Sequence, residues 1–107
     1  MDPIGITNEQ KVRFTANPTT GSGAPAPIDG VLGATLDDAA SGTVEPGNGN
    51  LDVVVRPAAG FLGKITGRVA ADADLGAGVV TLEDTFEIDV TSAMAVNLGV
   101  SASVEPA

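Results

Sequence analysis

The chain contains no cysteine, no histidine, no tryptophan and no tyrosine, and it sets five basic residues against fourteen acids. Without cysteine there is no disulfide staple, no thiolate nucleophile and no thiolate metal site. Without histidine, Ser–His–Asp triads and His-ligated zinc are ruled out. A pair of carboxylates could in principle hydrolyse a glycosidic bond. That chemistry needs a lined cleft, and three Phe are the only rings available to line one. The same poverty argues against sugar stacking and against a protein hot spot built on Trp or Tyr. No glycine-rich run of the phosphate-cradling kinds opens a helix, so there is no nucleotide site. These absences point away from an enzyme and from any cofactor.

Positive charge is the other shortage. A net charge of −9 repels phosphate backbones and anionic lipid headgroups, so neither a nucleic acid nor a membrane is expected as partner. It suits solubility. The opening "MDPIGITNEQ" has an acid at position 2 and no apolar run, unlike a secretory signal. No window approaches the roughly twenty apolar residues of a membrane span. The expectation is a chain made and folded in the cytoplasm.

What is present is a β composition. In 107 residues there is room for one domain, 1–107, with one core. Hydrophobic residues make up 43%, mostly small or β-branched, and 14 Gly with 7 Pro interrupt the chain too often for long helices. "KVRFTAN" alternates, with Val12, Phe14 and Ala16 on one face and Lys11, Arg13 and Thr15 on the other. "NPTTGSGAPAP" is a loop. "IDGVLGATL", Ile28 to Leu36, is a strand interrupted by Gly30 and Gly33, where a bulge or a close backbone approach is expected. A short strand is expected at Thr43–Glu45, and another in "LDVVVRP" with Leu51, Val53 and Val55 on one face. In "FLGKITGRVAAD", Ile65, Val69 and Ala71 face one way and Lys64, Thr66, Arg68 and Asp72 the other. "TFEIDVT" is the sharpest strand, with Phe86, Ile88 and Val90 inward. "TSAMAVNLG" reads as one short helical turn, and residues 102–107 as a frayed terminus. About seven short strands separated by turns make an all-β fold, a β-sandwich or small barrel.

"ADADLGAGVVTLEDTFEIDV" holds six carboxylates and no base. Glu87 and Asp89 are two apart and share the solvent face of a strand, where Lys64, Arg68 and Arg56 on neighbouring strands can pair with them. Asp72, Asp74, Glu83 and Asp84 flank a hairpin turn and are the metal candidates, since calcium takes hard oxygen ligands from Asp side chains and loop carbonyls. "DADLGAG" nevertheless lacks the third acid and the distant Glu of a D-x-D-x-D-G loop, and acids at such places are also ordinary turn formers.

"GKITGRVAADADLGAGVVTLEDTFEIDV" resembles the closing hairpin of bacterial immunoglobulin-like domains of the Big type. Gly63–Ala71 matches a "G-x-x-x-V-x-x-x-A" strand, and Phe86, Ile88 and Val90 match a final "F-x-V-x-V" strand. "NEQKVRFTANPTTGSGAPAPIDG" is similar to the family's opening. The resemblance spans Lys11 to Thr91, and departs from the family in "IDGVLGATL", which lacks a large aromatic. It implies an immunoglobulin-like Greek-key sandwich. A short chain with its own Met and no repeat looks like the free-standing members in tailed bacteriophages. That implies a non-enzymatic structural protein of the virion, decorating capsid or tail, with capsid or tail proteins or further copies of itself as partners. The alternative is an adhesin-like binding module for a host surface or glycan. Residues 1–8 are either an N-terminal arm or the first strand. As an arm, Ile4 and Ile6 are the docking candidates, able to add to a neighbouring sheet edge; as a strand, they belong to the chain's own core. Leu62 and Val100 are further apolar residues open to the same two readings.

Overall fold

The computed structural model describes all residues, 1–107. Seven strands follow one another: β1 (Ile4–Thr7), β2 (Val12–Thr15), β3 (Asp29–Leu36), β4 (Gly42–Pro46), β5 (Asp52–Pro57), β6 (Gly63–Asp72) and β7 (Thr81–Thr91). They form a four-stranded sheet in the order β1-β7-β6-β3 and a three-stranded sheet in the order β2-β5-β4. The chain crosses between the sheets after β1, β2, β3 and β5. All neighbours are antiparallel except β1, which runs parallel to β7. The fold is a β-sandwich, as the alternation of apolar and polar residues leads one to expect.

The inward faces meet in one cluster: Val12 and Phe14 from β2, Leu32 from β3, Val53 and Val55 from β5, Ile65 and Val69 from β6, and Phe86, Ile88 and Val90 from β7. Phe14 and Phe86 are the only ring pair, with centroids 4.7 Å apart and planes tilted by 37°. That contact joins the two sheets. Around so few large side chains the core is thin, and 16 of 107 residues are buried.

Two glycines carry backbone geometry that the strands require. At Gly30 φ is +81°, in the left-handed region where a side chain is strained. It lies where the β3–β6 register shifts between Asp29 and Gly33, so β3 is bulged. Past the bulge, the Leu32 N–H donates to the Asn50 carbonyl at the end of the other sheet, 2.8 Å away. Gly67 is cross-strand from Phe86 on one side and Leu36 on the other. A Cβ there would lie 2.2 Å from the Thr35 carbonyl oxygen and 2.8 Å from the Phe86 ring.

Several expectations are corrected. "TSAMAVNLG" forms no helical turn, because the chain beyond Thr91 has no regular structure at all. The irregular C-terminal stretch is therefore 92–107 rather than 102–107. β6 and β7, at 10 and 11 residues, are long rather than short. Val54, on the outer face of β5, is as buried as the core (2% exposed). Its cross-strand partners are Arg13 and Glu45, and Asp52 and Arg56 lie two residues away along the strand. The aliphatic stems of such long charged side chains shield an apolar residue between them.

Candidate assembly interface

The acids that suggested a metal site do not converge, and no three acidic side chains are grouped so as to hold an ion. Asp72 spends one carboxylate oxygen on the N–H groups of Asp74 and Val80, at 2.8 and 2.9 Å, and Asp74 accepts from the Gly76 N–H at 2.8 Å. Both organise the β6–β7 turn, the role that short acidic side chains take in turns. Glu83 lies on the outer face near Arg68, 3.7 Å away. Asp84 is cross-strand from buried Val69 and so points to the inner face, where the terminal ammonium of Met1 is 3.8 Å from it. Alternation along β7 thus sends Glu83 and Asp84 to opposite sides of the sheet.

The outer face of β6 and β7 is a field of cross-strand charge pairs. Lys64 reaches Glu87 at 3.2 Å and its direct cross-strand partner Asp89 at 4.0 Å. Arg56 is not part of it. β5 belongs to the other sheet, and Arg56 pairs there with Glu45 at 2.6 Å. The hydrogen bond from Arg56 lowers the Glu45 carboxyl below its ordinary value, and Glu45 in turn raises the guanidinium. Asp52 is held low chiefly by the N–H groups of Asn48 and Gly49, at 3.0 and 2.9 Å, and then by Arg13. One carboxylate therefore ties the β4–β5 turn to β2.

Ile4 and Ile6 are half-buried against the core, opposite Ile88 and Val90. Of the two readings of residues 1–8, the structure gives the strand: residues 4–7 are the first strand of this sandwich, with Ile4 and Ile6 packed against its core. Leu62 is exposed.

The structure exposes apolar surface elsewhere, and two places complement each other. The first is a cleft at one end of the sandwich. β6 and β7 outrun the six-residue β5 that faces them, leaving the inner sides of Ala71 and Leu82 uncovered. Together with Met1, Phe14, Ile28, Leu32 and Val69 they line a cavity of about 300 Å³, with Asn17, Pro18, Glu83 and Asp84 at its rim. β1 pairs with β7 only from Ile88 to Thr91. The N-terminal residues ahead of it continue past this edge, with Met1 at Asp84, so beside the cleft the β7 backbone is unpaired on that side from Thr81 to Glu83.

The second place is the C-terminal arm. Met94, Val96, Leu98 and Val100 are 74 to 92% exposed, and Val104 is fully exposed. With Ala102 they occupy every second position, the period of a strand with one apolar face. No charged residue occurs between Thr91 and Val104. The arm is rooted by Asn8, whose N–H donates to the Thr91 carbonyl at 2.9 Å and whose side-chain oxygen accepts from the Ala93 N–H at 3.3 Å. It stands away from the sandwich. The molecule is 77 Å long, about twice the roughly 36 Å length of β7. Its radius of gyration is 19.5 Å, against about 13 Å for a compact chain of this size. The alternation was visible in the sequence, but small residues interleaved with glycine resemble a fraying end, and only Val100 stood out.

Known proteins offer no parallel: no family model, no curated protein and no solved structure matches the chain.

Proposed function

We propose that the chain is a non-enzymatic structural module that acts by docking into a larger assembly, and that this assembly is a bacteriophage particle whose capsid or tail proteins are its partners. One observation carries the reading. The accessible surface is 7178 Å², against about 5,400 Å² for a compact monomer of this mass. The excess of roughly 1,800 Å² comes with apolar side chains on the arm, along the open β7 edge and at the hairpin tip, where Leu75, Val79 and Val80 are exposed. Exposed apolar side chains grouped in this way mark an interaction surface. The virion assignment draws on the resemblance of residues 11–91 to bacterial Big-type immunoglobulin-like domains, and of the short chain to the free-standing members in tailed bacteriophages. A sandwich whose first strand runs parallel to its last is compatible with that fold family. The acidic outer faces stay in solvent.

The test is quantitative mass spectrometry of particles purified from the strain that carries the gene. Copy numbers approaching that of the major shell protein support decoration, and a few copies per particle a tail or vertex role. Absence from intact particles refutes the virion reading.

A further inference from the structure

The complementary arm and cleft lie at opposite ends of one strand, and we propose that they belong together in different molecules. The arm of one copy adds as a strand along the open β7 edge of the next and seats Val96, Leu98 and Val100 in its cleft. This adds self-association to the structural reading above and rests on that reading for its purpose.

Shape, reach and charge carry the proposal. At roughly 30 Å³ per heavy atom, a 300 Å³ cleft holds about ten side-chain heavy atoms, the content of two valines and a leucine. A strand laid on the β7 edge sends alternate side chains to the inner face, and the arm carries its apolar residues at alternate positions. Its own arm does not return along that edge, because β1 occupies it from Ile88 to Thr91. Leu82 lies nine residues back from Thr91, about 31 Å along the strand, whereas Val96 and Leu98 travel at most about 18 and 25 Å from Thr91 even fully extended. The Asn8 contacts hold the root of the arm at the far end. Two copies of charge −9 repel each other, but the arm is neutral up to Glu105 and brings no further negative charge to Glu83 and Asp84 at the rim. The excess surface of roughly 1,800 Å² exceeds the roughly 800 Å² per partner of a standard interface.

Because donor and acceptor are different surfaces at opposite ends, the contact is heterologous and propagates head to tail, into a ring or an open filament. Pairing also closes an exposed strand edge that would otherwise invite uncontrolled aggregation.

Sedimentation velocity across a concentration series tests this on the full chain. The wild type is expected to form a ladder of oligomers. Val96→Asp with Leu98→Asp should abolish every species above the monomer. Asn97→Asp with Ser101→Asp adds the same charge on the opposite face of the arm and should leave the ladder in place. Leu82→Asp kills the acceptor and keeps the donor. Mixed with the Val96→Asp/Leu98→Asp chain, it should give one-to-one dimers and nothing larger. Far-UV circular dichroism melts confirm that each variant is folded. A wild type that stays monomeric, variants of both faces with equal effect, or a mixture without dimers would each overturn the proposal. So would a monomer that becomes compact in solution scattering, which would put the arm on its own molecule. A monomeric chain that is abundant in particles sinks this inference alone, whereas an oligomeric chain absent from particles sinks the virion reading alone.

Discussion

Replacing Gly67 with alanine probes the narrowest point of the sandwich. The new Cβ would lie 2.2 Å from the Thr35 carbonyl oxygen, 2.8 Å from the Phe86 ring and 3.2 Å from the Leu36 Cα. The ring can rotate or shift; the Thr35 oxygen is backbone of the neighbouring strand and moves only with β3. Overpacking of this kind costs about 1–3 kcal/mol, and a backbone overlap places Gly67→Ala at the upper end. Relief of glycine's unfolded-state entropy returns about 0.5–1 kcal/mol, leaving a net loss of about 2 kcal/mol. With a urea dependence of about 1–3 kcal/mol per molar, the midpoint should fall by roughly 1–2 M. The chain has no Trp or Tyr, so far-UV circular dichroism is the signal to follow. The double variant Gly67→Ala/Phe86→Leu separates the two contacts. If the carbonyl dominates, removing the ring rescues nothing and adds its own core loss. A Gly67→Ala protein as stable as the wild type would show that β3 and β6 do not meet at Leu36 and Gly67, and the packing described here would be wrong.

Three further outcomes are expected. The folded-state pKa of Asp52 is depressed, so its stabilisation is complete above the ordinary aspartate value of 3.8 and disappears as pH falls through the lower folded value. The melting difference between wild type and Asp52→Asn should be largest at neutral pH and shrink in acid, and a gap constant down to the acid transition would refute it. Ile6→Ala should destabilise by about 1–2 kcal/mol in thermal melts, because a half-buried core contact is lost; an unchanged melt would return β1 to the status of a free arm. Asp72→Asn should lower the melting temperature equally with calcium or with chelator present, since Asp72 serves backbone N–H groups; calcium-dependent melting of the wild type would restore the metal reading.

The two-residue period of β2, β5, β6 and β7, the loop at Asn17–Pro27 and the glycine-marked bulge in β3 could all be read locally, because backbone sterics and side-chain alternation act over two or three residues. So could the absence of histidine, cysteine and most aromatic side chains, and with it the activities that need them. Partnership between strands could not, because hydrogen bonds to a distant strand leave no local trace. Only the tertiary structure put Arg56 in the sheet away from Glu87 and enclosed Val54 among four charged side chains. Asp72 and Asp74 went to the turn, while Glu83 and Asp84 fell on opposite faces, because acids close in sequence converge only when the backbone aims them at one point. The same limit applies to Met94–Val104. Alternation shows that a segment can form a strand with one apolar face, but not whether the edge that receives it lies in its own molecule. Here the fold left β7 unpaired on one side near Thr81 and the arm free beyond Thr91, with β1 on the edge between them.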